Sequence, residues 1–137
     1  MNYQEKQSHL SNLISLAYAD GILKKDEEQL LIDIGKKMGI SEEEILKKLA
    51  NPVKQKFLIP EKETVRYHQL YDFLSMIMID GDIHPNEIII LKKYAKQLKF
   101  KEDIVDPLID KTKEYLKKGY NSNAIQSNLK DLINKIY

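Results

Sequence analysis

The chain has no cysteine, which excludes disulfides and thiolate-held metals outright and fits a reducing cytosol. It has no long apolar run either. The longest, Phe73 to Ile79, covers seven residues and is interrupted by Ser75, whereas a membrane span needs about 20. The opening Met1-Asn2-Tyr3-Gln4-Glu5-Lys6-Gln7 lacks the apolar centre of a signal peptide. These lacks predict a soluble, cytoplasmic chain without direct membrane insertion, so any membrane association would run through a partner. Charge of one sign is also lacking. The 22 basic and 21 acidic residues are interspersed and leave a net charge of +1. A dedicated nucleic-acid binder would carry a basic stripe, so no nucleic-acid partner is expected. No Ser/His/Asp order, glycine-rich phosphate loop or HExxH run occurs. Acidic neighbours such as Asp26 and Glu27 have no substrate site beside them, and the expectation is a protein that is not an enzyme.

What is there is helical. No segment sustains the two-residue alternation of a strand, and 137 residues at 42% hydrophobic suit one domain, 1–137, with a real core. Leu10, Leu13, Ile14, Ala17 and Tyr18 form a stripe on a first helix, and Leu30, Leu31, Ile34 and Met38 one on a second over 25–38. Ser41 to Glu44 has the composition of a capping box opening a short third helix. Residues 51–60 are expected to form a loop whose Val53, Phe57 and Leu58 fold back on the core. A fourth helix, from Pro60-Glu61 to Ile79, is apolar on nearly all sides at its end and should lie at the centre. Pro85 opens a fifth, with Ile88, Ile90, Leu91, Tyr94, Ala95 and Leu98. The sixth runs over 101–118 with Pro107 in its first two turns. A last helix, about 121–136, is capped by Asn121 or Ser122 and carries Ile125, Leu129, Leu132, Ile133 and Ile136. The fold class expected is all-α, with about seven helices.

Two turns repeat. Asp20-Gly21-Ile22-Leu23-Lys24-Lys25-Asp26-Glu27 and Asp80-Gly81-Asp82-Ile83-His84-Pro85-Asn86-Glu87 share Asp, Gly, an aliphatic residue and Glu at one offset of 60 residues. The flanking core positions follow: Leu10 and Leu70, Leu13 and Phe73, Leu31 and Leu91, Met38 and Leu98. The expected organisation is two helix-turn-helix repeats, about 8–50 and 68–110, packed about a pseudo-twofold axis that buries both apolar faces.

The turn matches the second half of an EF-hand loop, with its bending glycine and closing glutamate. The first half is missing: Leu16, Tyr18, Met76 and Met78 stand where carboxylates are required, so an ordinary EF-hand is excluded. Asp20 and Asp80 nevertheless sit at helix C-termini, where the dipole disfavours anions. One offset is an Asx-turn to the backbone. The other is a divalent cation of unspecified identity, held by Asp20, Glu27, Asp80 and Glu87, with Asp82 and His84 adding ligand atoms in the second turn. Lys24 and Lys25 would repel such an ion unless they point away. His9 and His68 lie far from the turns in sequence, and Tyr18, Tyr71 and Tyr94 read as core.

Leu13-Ile14-Ser15-Leu16-Ala17, then Ala19-Asp20-Gly21 through Glu27, then Gly39-Ile40-Ser41, resembles the tellurite-resistance TerB-like family. The second Asp-Gly…Glu unit strengthens the likeness, which covers about residues 8–110. It departs at Met78-Ile79-Asp80, where the first copy has Tyr18-Ala19-Asp20, and nothing after Gly119 takes part. The resemblance implies an internally symmetric helical domain in a bacterial cytoplasm. It also implies a role in tellurite resistance or wider stress response, and adaptor work beside chaperone-related or membrane-associated partners. It makes the acidic turn residues a metal site. The alternative is a metal-free protein-interaction adaptor or homodimer using an apolar face of helices four and five, motivated by Ile88 and Ile89.

Overall fold

Asn2 starts the first helix by accepting the Glu5 N–H at 2.8 Å, while the Glu5 carboxylate accepts the Asn2 N–H at 3.2 Å. In this computed structural model the chain then forms α1 (Tyr3–Ala17), α2 (Lys25–Lys37), α3 (Glu42–Ala50), α4 (Glu63–Met78), α5 (Pro85–Gln97), α6 (Glu102–Lys117) and α7 (Ser122–Ile136). Residues 1–120 and 122–136 are described, α7 with the side chains of residues 124, 125, 127, 128, 130–132, 134 and 135. Asn121, and the side chains of Ser122, Leu129, Ile133 and Ile136, lie outside the described residues. Among those described there is no strand, so the expected all-α class of seven helices is what forms. No described helix is long and apolar enough to cross a membrane.

The apolar end of α4 takes the central place its composition demands. Leu70 and Phe73 through Met78 are buried, and α4 packs against α1, α2, α5, α6 and α7. It begins at Glu63, three residues after Pro60. The first helix is more enclosed than its stripe implies, because Gln7, Ser8, His9, Ser11 and Asn12 are buried along with its apolar residues. The connection after α3 explains two of them. Its irregular backbone needs acceptors once covered, and Ser8 and Ser11 supply them to the N–H groups of Leu58 at 2.9 Å and Gln55 at 3.0 Å. Phe57 and Leu58 are half-buried there, Phe57 5.4 Å from the Tyr94 ring, but Val53 is exposed, contrary to expectation. Pro52, Lys54 and Lys56 around it are exposed as well.

A second correction concerns α3. Ser41 accepts the Glu44 N–H at 3.2 Å, but the Glu44 carboxylate turns to the Tyr3 hydroxyl at 3.5 Å, so only half of a capping box forms. Of the apolar face expected on helices four and five, Ile89 is exposed while Ile88 and Ile90 are half-buried. On α4 the large apolar side chains all turn inward.

Candidate functional site

Each repeated turn closes on itself in the same way. Gly21 and Gly81 adopt φ of +89° and +81°, the left-handed region that reverses the chain at low steric cost. Asp20 accepts the Ile22 N–H at 3.1 Å, and Asp80 accepts the Asp82 N–H at 3.2 Å. Glu27 reaches back to the Lys24 N–H at 3.0 Å and Glu87 to the His84 N–H at 2.9 Å, capping α2 and α5. The Asx-turn reading of the aspartates therefore holds in both copies. The Asx-turns and the two caps together use one oxygen of each of the four carboxylates.

The remaining oxygens of the two aspartates share one partner. Lys24 Nζ lies 2.6 Å from Asp80 Oδ2 and 3.8 Å from Asp20 Oδ2, which ties one turn to the other across 56 residues of chain. The lysine that sequence reading set against a cation is thus itself the cation between the aspartates. Its pKa is raised, first by the hydrogen bond to Asp80 and then by that carboxylate's charge.

Glu27 and Glu87 are buried, 2% and 4% exposed. Burial raises the Glu27 pKa against the lowering effect of the Lys24 N–H, and the charges of Asp20 and Asp80 push the same way. Burial brings Glu87 to about 7 against the His84 N–H, with Asp80, Glu27 and Asp20 adding to the rise. Four carboxylates from two distant stretches of sequence therefore act on one another. Asp82 and His84 stand apart on the exposed side of the second turn. His84 Nδ1 accepts the Asn86 N–H at 3.2 Å, which commits that ring nitrogen to the start of α5.

The donor chemistry suits a hard divalent cation, which takes carboxylate oxygens in numbers. The arrangement closes on an ammonium instead: among the described residues, no three His, Asp or Glu side chains are gathered so as to hold a metal ion. Holding one would require Lys24 to swing out, which its half-exposed side chain permits.

Sequence reading missed Lys24 as a member of this centre. The available signal was its place four residues after Asp20, within reach of an i,i+4 carboxylate. It also passed over His9, whose Nε2 lies 2.8 Å from Asp72 Oδ2 inside the bundle. Two residues 63 apart give no local pattern that would pair them.

No protein-family model, curated protein or solved structure matches this chain.

Proposed function

We propose that this is a non-enzymatic, cytoplasmic, stress-associated binding or adaptor module, of the kind its TerB-like resemblance implies, whose acidic centre admits a divalent cation in competition with Lys24. The observation that carries the reading is the bridge of Lys24 between Asp20 and Asp80, whose charges also act on the buried Glu27 and Glu87. A half-exposed lysine held between two aspartates is displaceable by a more highly charged ion, and the buried glutamates gain a reason to be ionised. Asp20, Asp80, Glu27 and Glu87 would hold the ion. Asp82 and His84 would contribute only from the rim. The cation would draw the turns before α2 and α5 together, and a protein partner, or a second copy of the chain, would sense that change.

Thermal melts in calcium, magnesium, manganese or zinc against EDTA test this, on the wild type and on Lys24→Met. A ligand at 100 times its Kd stabilises by about 2.7 kcal/mol. The variant, relieved of its internal competitor, should respond at lower metal concentration than the wild type. If neither midpoint moves with any of the four metals, the cation reading fails and the metal-free adaptor is left.

A further inference from the structure

A second polar feature lies away from the acidic turns. A groove of about 600 Å³ opens between α2, α4 and α7, a volume within the range of small-molecule sites. Its floor is Ile34 and Tyr67, both buried, with the half-buried Met38, Tyr71 and Asp72 beside them. Its edge carries the exposed Lys37 and Lys130. The floor is thus apolar and aromatic around one carboxylate, and the edge is basic.

The carboxylate is held in place from behind. His9 is fully enclosed, and its Nε2 is hydrogen-bonded to Asp72 Oδ2 at 2.8 Å. His9 Nδ1 has no partner. Asp72 lines the groove with its side chain 24% exposed, while His9, at 0%, cannot reach any ligand. His9 is a positioning residue.

We infer that this groove binds a small zwitterion, an apolar amino acid or dipeptide, with its ammonium on Asp72 and its carboxylate between Lys37 and Lys130. The charges set that polarity. Ile34, Met38, Tyr67 and Tyr71 line the groove with the apolar and aromatic surface that takes an apolar side chain. A plain anion would meet Asp72 at the floor, and a plain cation would meet two lysines at the edge.

The test is a calorimetric titration of the full chain with the dipeptide Leu-Phe, alongside N-acetyl-Leu-Phe, which has no ammonium, and Leu-Phe amide, which has no carboxylate. The expected result is saturable binding of Leu-Phe, weakened tenfold or more in each blocked form. The double variant Lys37→Glu, Lys130→Glu should abolish the preference for the free carboxylate. Asp72→Asn should abolish the preference for the free ammonium. If Asp72→Asn fails to fold, the blocked dipeptides on the wild type decide the point. Absence of binding at millimolar Leu-Phe overturns the inference, as does equal affinity for all three forms, or no change in the lysine double variant.

Discussion

At the scale of single residues, the two repeats differ most tellingly at one helix end. After α2 the chain turns at Gly39 with φ of +84°, and after α5 it turns at Lys99 with φ of +70°. The bonding is the same: Gly39 N–H to Lys36 and Ile40 N–H to Gly35 in the first, Lys99 N–H to Lys96 and Phe100 N–H to Ala95 in the second. A side chain with a Cβ in the left-handed region costs about 1–2 kcal/mol, part of which glycine returns as greater freedom of the unfolded chain. Lys99→Gly is therefore expected to stabilise by about 1 kcal/mol, read as a higher urea midpoint at unchanged slope. A lower midpoint would mean the lysine side chain makes a compensating contact. At the acidic turns the corresponding experiment is Asp80→Asn. It keeps an oxygen for the Asp82 N–H but removes the charge that holds Lys24, and under the cation proposal it should weaken the metal response of the melt.

At the scale of elements, α2 and α3 meet at Gly35. A Cβ there would stand 2.5 Å from Ile45 Cδ1 and 2.9 Å from its Cγ1, and Ile45 is itself fully buried. The corresponding place in the second repeat is Ala95, where the chain tolerates a methyl group. Overpacking a core costs about 1–3 kcal/mol, against roughly 0.5–1 kcal/mol gained by replacing glycine with alanine in a helix. Gly35→Ala should thus destabilise by about 1 kcal/mol in chemical denaturation, and Ile45→Val in the same chain should recover part of it by removing the closer atom. Equal stability of Gly35→Ala and wild type would show that Ile45 moves aside freely. Elements of this kind were the most legible part of the sequence. The stripes of α2 and α5, the all-round apolar end of α4 and the glycine stops are local signals, and they sit where the residues place them. The burial of Ser8 and Ser11 was not legible, because it depends on the path of residues 51–62. Neither was the pairing of Lys24 with Asp80, because a flexible side chain chooses among carboxylates only after the turns have met.

At the scale of the whole molecule, the meeting of the two turns should make stability depend on pH. Burial pushes the Glu87 carboxyl up from its ordinary 4.5 to about 7, and Glu27 is raised in the same direction. Between those values the folded state holds a proton that the unfolded state has already released. Stability from this source is complete below about pH 4.5 and is lost as pH rises through about 7. The full rise of Glu87 corresponds to roughly 3 kcal/mol as an upper figure. Urea midpoints at fixed ionic strength should therefore fall between pH 4.5 and 7.5, and fall less in Glu87→Gln, whose amide oxygen still accepts the His84 N–H. The two profiles running parallel would mean that Glu87 is ionised throughout. A divalent cation reverses the argument, since it binds the carboxylate and not the acid. Were one to enter the centre, its stabilising effect would grow over the same pH range in which the metal-free chain weakens, and saturating metal should flatten or invert the wild-type profile while leaving that of Glu87→Gln closer to its metal-free course.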